Sequence, residues 1–283
     1  MSSVSDRPET IGLVPLTPAM LGPAHLLSHA VAWPHRLQDW QFALSLGHGI
    51  AAFERDRLVG TAMWWPFEPD FATLGMVIVA PDRQGVGLGR RLMQAVIEAA
   101  GPRAIGLNAT SAGLPLYEKL GFVRIGEIHQ HQGRVTVPAP VTAPVRPATE
   151  GDWLAIEALD RAACGLDRRA LLAALRSLGR GNVLLREGKV AGFSLVREFG
   201  RGQSIGPVVA PDVQGAKALI ADWAGQSLGS FLRVDCPGSS GLGDWLAGLG
   251  LAPVAPVASM VHGVPPRPET AARLFGLVSQ ALG

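Results

Sequence analysis

Val77-Ile78-Val79-Ala80-Pro81-Asp82-Arg83-Gln84-Gly85-Val86-Gly87-Leu88-Gly89-Arg90-Arg91-Leu92 reads as a strand, a stop, a glycine-rich loop and a helix start. Met76 to Val79 are apolar and partly β-branched, which suits a buried strand. Pro81 and Asp82 break it. Beyond them Leu88, Leu92, Met93, Val96, Ile97 and Ala100 fall on one face of a helix. The first N–H groups of a helix have no internal partner, and the dipole adds positive character there. Glycines at 85, 87 and 89 let a ligand reach that backbone, and Arg90 and Arg91 add charge. Such a terminus is suited to a pyrophosphate.

Two better-known phosphate loops do not fit. A Walker loop needs Gly-Lys-Ser/Thr, which is absent. A dinucleotide fingerprint counted from Gly85 and Gly87 would need a third glycine where Arg90 stands. Two glycines alone mark no more than a tight turn from strand to helix.

Gln84-Gly85-Val86-Gly87-Leu88-Gly89 resembles the Q/R-x-x-G-x-G/A motif of the GNAT acetyltransferases, which bind acetyl-CoA. Leu116-Tyr117-Glu118-Lys119-Leu120-Gly121-Phe122 resembles that family's second signature, a tyrosine-bearing helix followed by a Gly-Phe turn. The resemblance implies an α/β fold with a mixed sheet. It implies acetyl-CoA as cosubstrate, with Val77, Ile78, Val79, Gln84, Gly85, Val86, Gly87, Leu88, Gly89, Arg90, Asn108 and Tyr117 around it. It also implies that pantetheine pairs with the strand backbone at Val77 to Val79, where an N–H serves as oxyanion donor. Tyr117, the only tyrosine, stands at the family's proton-donor position. A half-buried aromatic bonded to a carbonyl is the structural alternative for it. The acceptor is expected to be a small-molecule primary amine that attacks directly in a ternary complex. A non-catalytic acyl-CoA-binding module and a protein-modifying enzyme stay open beside that reading.

The second half repeats the first. Val79 to Gly85 recurs as Val209 to Gly215, with six of seven residues identical at an offset of 130. Phe53–Gly60 parallels Leu185–Gly192, and Gly121-Phe122 parallels Gly250-Leu251. Three repeats in one order argue for a second domain of the same fold. The copy has lost the later glycines (Ala216, Lys217, Ala218), and Leu246 stands where Tyr117 would be. It is expected not to bind CoA productively, and to pack on the first half, wall the acceptor pocket or form a homodimer. The division expected is 1–137, catalytic; 138–147, a semi-rigid connector with four prolines in ten residues; and 148–283, the degenerate copy.

Elements expected in the first half are strands at 11–16, 50–53, 58–65, 71–79, 104–109, 122–128 and 134–137, with helices at 19–31, 38–46, 88–100 and around Tyr117. His129 to Gly133 is expected to be a turn with solvated imidazoles, a metal pair at His129 and His131 being the less favoured reading. Met1 to Glu9 is expected to be a loose tail and Glu269 to Leu282 a terminal helix.

The 283 residues carry a net charge of +2 with scattered arginines, which argues against nucleic acid as main partner. With 48% apolar and 17% charged residues there is material for packed cores. No signal peptide and no apolar run long enough for a membrane span is evident. Cys164 and Cys236 make neither a disulfide framework nor a zinc cluster, and fit the reducing cytoplasm; no metal is expected. The strand 71–79 carries no carboxylate, so no side-chain base is evident. Asp39, Glu68, Asp70, His35 and His48 are near in sequence without a geometric warrant. Trp33, Trp40, Trp64, Trp65, Phe67 and Phe71 crowd the region before the loop and read chiefly as core.

Overall fold

The computed structural model describes residues 11–269 and 272–283. The expected tail at Met1 to Glu9 lies outside them, as do residues 270 and 271 of the expected terminal helix. Two compact units form: the described residues up to Trp65 with Leu74–Gly101, and Pro66–Thr73 with Pro102–Gly283.

In the first unit the order is β1 (Gly12–Pro15), α1 (Leu21–Ala30), α2 (Leu37–Leu46), β2 (His48–Glu54), β3 (Arg57–Phe67), β4 (Phe71–Val79) and α3 (Leu88–Ala100). The strands lie in the order β1-β2-β3-β4. β2 and β3 are a hairpin in which Glu54 faces Arg57, as the turn residues suggested. α3 buries Leu88, Leu92, Met93, Val96 and Ala100, the face expected of it. A Cβ at Gly60 of β3 would fall 2.9 Å from Leu92, so the helix seats closely only over glycine. Trp40 and Trp65 are fully buried. Their indole N–H groups donate to Ser28 Oγ (3.3 Å) and Ala43 O (2.8 Å), which fits their core role.

The second unit continues with β5 (Ala104–Ala109), α4 (Leu114–Lys119), β6 (Val123–Arg134), β7 (Val145–Pro147), α5 (Trp153–Cys164), α6 (Arg169–Leu178), β8 (Gly179–Arg186), β9 (Lys189–Phe199), β10 (Gly202–Ala210), α7 (Val213–Gln226), β11 (Phe231–Pro237), α8 (Gly243–Gly248), β12 (Ala252–Pro253), β13 (Val257–His262) and β14 (Arg273–Gly276). Its strand order is β5-β13-β6-β11-β10-β9-β8-β7, with β12 on β6 and β14 on β10. The last three residues of the proline-rich stretch are thus a strand paired with β8.

Two expectations are corrected here. Residues 123–134 form one continuous strand, with no turn at His129 to Gly133. Its first part pairs with β13 and its second with β11. The strand therefore leaves its own repeat and completes the sheet of the other, while β13 returns the exchange by pairing with β5. Ile128 faces Val257, and these two stand 129 residues apart, as do Gly121 and Gly250. The two copies of this strand thus meet at equivalent residues. His131 is buried, its Nδ1 3.2 Å from Leu251 O, so its imidazole is not solvated.

The expected terminal helix is also corrected: Arg273–Gly276 is a strand antiparallel to the end of β10. A short apolar run has no decisive period, and the hydrogen-bonding edge of β10 decides its conformation. No helix among the described residues is long and apolar enough to cross a membrane.

Candidate active site

The candidate residues fall in two sets: Val77 to Arg90 in the first unit, Asn108 and Tyr117 in the second. In the first, β4 carries a feature that sequence reading missed. Met76 has φ +52°, a conformation that non-glycine residues rarely hold. Thr61 Oγ1 donates to the Met76 carbonyl at 2.9 Å. Leu74, Met76 and Ile78 point into the core, and Thr73, Gly75, Val77 and Val79 are half-buried on the other face. Ile78 therefore has only its backbone to offer a ligand. Gly75 before the kink was the one hint in the sequence.

Past β4 the loop is pinned by charge. Arg57 holds Asp82 bidentately, both contacts 2.7 Å, and Arg83 holds Glu54. Hydrogen bonding from Arg57 keeps the Asp82 carboxyl at about 2. Gln84 Nε2 donates to Val79 O at 3.2 Å, tying the loop to the strand end. Gly85 and Gly87 have φ +78° and +86°, and a Cβ on either would meet open space. Their glycine requirement comes from the left-handed backbone itself. Gly87 is the N-cap of α3, and no side chain caps that helix. Leu88 is buried, whereas Gly85, Val86 and Gly87 are exposed, so the loop backbone stands open. Arg91 donates to Ile11 O at 2.8 Å, and Arg90 is exposed with no side-chain partner among the described residues. The open amides, the absent cap and the Arg90 charge fit a diphosphate.

In the second unit Tyr117 is buried on α4, its ring edge-on to Phe122 at 6.0 Å. A Cβ at Gly113 would fall 2.8 Å from the Tyr117 ring, so the close seat needs glycine. Burial pushes the phenol up to about 12. Its hydroxyl makes no hydrogen bond among the described residues, so the bond to a carbonyl that the structural alternative requires is not formed there. At neutral pH it is a proton donor and not a base. Asn108 on β5 donates from Nδ2 to Gln280 O and accepts from Ser259 Oγ, both 2.7 Å.

Two of the nearby carboxylates are engaged. Asp39 takes the Arg36 backbone N–H (2.8 Å) and guanidinium (2.9 Å), and Glu68 takes the Asp167 N–H at 2.9 Å. Burial raises both thiols, Cys164 and Cys236, so neither is a poised thiolate. Among the described residues no three His, Cys, Asp or Glu side chains gather where a metal could be held.

The copy keeps the frame and changes the contents. α4 and α8 have matching bounds 129 residues apart, and Phe122 N→Tyr117 O (3.0 Å) recurs as Leu251 N→Leu246 O (3.1 Å). β10 breaks register between Ile205 and Val208, where β4 has its kink. There Pro207 stands at the place of Val77 and has no N–H. β14 lies along the following residues of β10, and a Cβ at Gly206 would meet Leu277 O at 1.9 Å.

Known proteins bear on this geometry. Two acetyltransferase (GNAT) domain models match, one at residues 45–124 and one at 156–276. The uncharacterized N-acetyltransferase YitH of Bacillus subtilis is 32% identical over 217 residues, 75% of this chain and 76% of its own. A proposed acetyltransferase from Pyrococcus horikoshii has a similar fold, with TM-score 0.82 at 20% identity over 100% of this chain and 99% of that one. A tandem GNAT protein of the clavulanic acid biosynthesis pathway aligns with TM-score 0.65 at 14% identity, covering 92% of this chain and all of that one. Matched in both halves and on a relative of such identity, the chain belongs to the GNAT acetyltransferases, as an enzyme with two tandem GNAT domains.

Proposed function

We propose that this enzyme transfers the acetyl group of acetyl-CoA to a primary amine of a small molecule, by direct attack in a ternary complex. The observation that carries the reading is the uncapped N-terminus of α3, with left-handed glycines before it and Arg90 beside it. In this reading the N–H groups from Gln84 to Arg90 bind the diphosphate. Val77, Ile78 and Val79 align the pantetheine through their backbone, and the Val77 N–H at the Met76 kink donates to the thioester oxygen as charge builds on it. Asn108, its side chain held by Ser259 and Gln280, contributes from β5.

The amine nitrogen attacks the carbonyl carbon, the C–S bond breaks, and Tyr117 gives its proton to the departing sulfur. Water takes the proton from the amine, since Asp39 and Glu68 are already engaged. Raised thiols at Cys164 and Cys236 support direct attack over an acyl-cysteine. In the same reading the second half binds no CoA: the Asp212 carboxylate caps α7, and Pro207 offers no donor. The two unpaired cysteines support a cytoplasmic setting.

The test is thiol release from acetyl-CoA over a panel of small amines, with product masses read in parallel. Turnover on a small primary amine is expected. CoA binding by calorimetry with no product from any amine would replace this reading with a binding module. Acetylation confined to protein lysines would replace the acceptor.

A further inference from the structure

α1 carries histidines at 25 and 29, one turn apart on the same face. Their Nε2 atoms lie 3.0 Å apart, with the ring centroids at 4.5 Å and the planes at 75°. The His35 carbonyl oxygen lies 3.1 Å from His29 Nε2. His25 is half-buried and His29 exposed, so these atoms meet at the surface of the first unit. The acetyl-transfer reading uses none of them.

The surroundings of the three atoms are well packed. The N–H groups of Val31 and Trp33 donate to Ser28 O, and that of Ala32 to His29 O, folding the chain back over the end of α1. Ala32 has φ +61° in that turn. The His35 ring stands edge-on to Trp33 (5.7 Å) and to the fully buried Trp40 (6.4 Å). Ser28 Oγ joins the parts, donating to His25 O at 2.7 Å and accepting from the Trp40 indole at 3.3 Å.

A carbonyl only accepts, so a neutral His29 that bonds to it carries its hydrogen on Nε2. That one hydrogen faces two acceptors, His35 O and His25 Nε2. A cation in its place takes all three atoms as ligands, with the ring hydrogens on Nδ1. The spacing selects the geometry. Two ligands each about 2.1 Å from one ion stand about 3.0 Å apart at a right angle, and about 3.4 Å apart at the tetrahedral angle. The separations of 3.0 and 3.1 Å are right-angled ones. Right angles with nitrogen and oxygen ligands suit Ni(II) and Cu(II) better than Zn(II).

We propose that His25 Nε2, His29 Nε2 and His35 O bind one divalent cation of tetragonal preference, Ni(II) or Cu(II), with water completing its shell. The ion clips the α1–α2 connection to α1. Two imidazoles four residues apart on one helix face are an established chelating pair. The site stands apart from the acetyl-transfer reading, because it requires neither acetyl-CoA nor Tyr117.

The test uses the full-length chain without a histidine tag, stripped of metal with EDTA and then freed of EDTA. Calorimetry is run with the chlorides of Ni(II), Cu(II), Zn(II) and Mg(II). One Ni(II) or one Cu(II) per chain is expected, Cu(II) the tighter, with Zn(II) weaker than Ni(II) and no binding of Mg(II). The Cu(II) form is expected to give an axial electron paramagnetic resonance spectrum with coupling to two imidazole nitrogens. His25→Ala and His29→Ala are each expected to weaken Ni(II) at least about tenfold, and His129→Ala to leave it unchanged. His25→Ala keeps the contact between His29 and His35, and the Tm of each variant without metal shows whether the fold is intact. Should His29→Ala melt low, His25→Ala decides. Ni(II) binding no better than Mg(II), Zn(II) tighter than Ni(II), or Ni(II) affinity unaltered in His25→Ala would overturn the proposal.

Discussion

The N-termini of α3 and α7 arise from almost the same seven residues and end differently. After Val79-Ala80-Pro81-Asp82 the chain passes through left-handed Gly85 and Gly87 before α3 starts at Leu88. After Val209-Ala210-Pro211-Asp212 the helix starts at once, at Val213, and Gly215, Ala216 and Lys217 lie inside its first turns. What is an open loop in one copy is wound into helix in the other. The aspartates follow suit. Asp82 is held by Arg57 and leaves α3 uncapped, while Asp212 accepts the Gly215 N–H at 2.8 Å and pairs with Arg186. A helix terminus either satisfies its own N–H groups or offers them to a ligand. Here each alternative is realised once in a single chain.

Four substitutions and two controls would sharpen or break this contrast, the largest effect first. Tyr117→Phe is expected to lower kcat about 100-fold with acetyl-CoA affinity unchanged, since Leu246 shows that the frame closes without a hydroxyl. An unaltered kcat at saturating acetyl-CoA would remove the phenol from the mechanism. The same residue predicts a pH effect. Its folded pKa, about 12, lies above the ordinary 10. Its contribution to stability is therefore complete below pH 10 and is lost as pH rises from 10 through 12. That loss amounts to roughly 2–3 kcal/mol. Alkaline unfolding of Tyr117→Phe should lack this component, which denaturant titrations between pH 9 and 12 would read.

Gly87→Val forces a β-branched residue to φ +86° at the α3 cap. The strain is about 1–2 kcal/mol or more. Acetyl-CoA affinity is expected to fall at least about tenfold by calorimetry, with the first unit destabilised by a similar free energy. Lys217→Gly, at the corresponding place in α7, should leave affinity untouched. Equal effects at the two positions would contradict the assignment of CoA to the first copy.

Asp212→Ala removes a cap and is expected to lower stability by about 1 kcal/mol in urea titration without changing CoA binding. The smallest effect is expected at Arg90. Arg90→Ala should weaken acetyl-CoA a few-fold, less at high salt, as befits an exposed charge. Arg91→Ala, which loses a contact to Ile11 O, should matter less for affinity.

The elements that were legible share one property. The β2–β3 hairpin, α3 and β5 have partners or apolar faces encoded within a few tens of residues. β4 was also read correctly, but its kink at Met76 was not, because the αL backbone there is held by Thr61 on the neighbouring strand. The open loop at Gln84, Gly85 and Gly87 was readable as a candidate site because its conformation is set by the glycines themselves. The surroundings of Asn108 were not readable: its partners Ser259 and Gln280 lie far along the chain, and nothing local marks them as neighbours.

From residue order alone followed the family, the duplication, the loss of glycines in the second copy and the lone tyrosine, because each is a matter of residue type at a spacing. The course of β6 straight through His129 to Gly133, and of β14 where a helix had been expected, was decided only in three dimensions. A strand is completed by the backbone beside it, and for β6 that backbone belongs to β11 and β13, about a hundred residues or more away. Hydrogen-bonding partners so remote leave no period in the sequence, so their identity emerges only when the chain has folded.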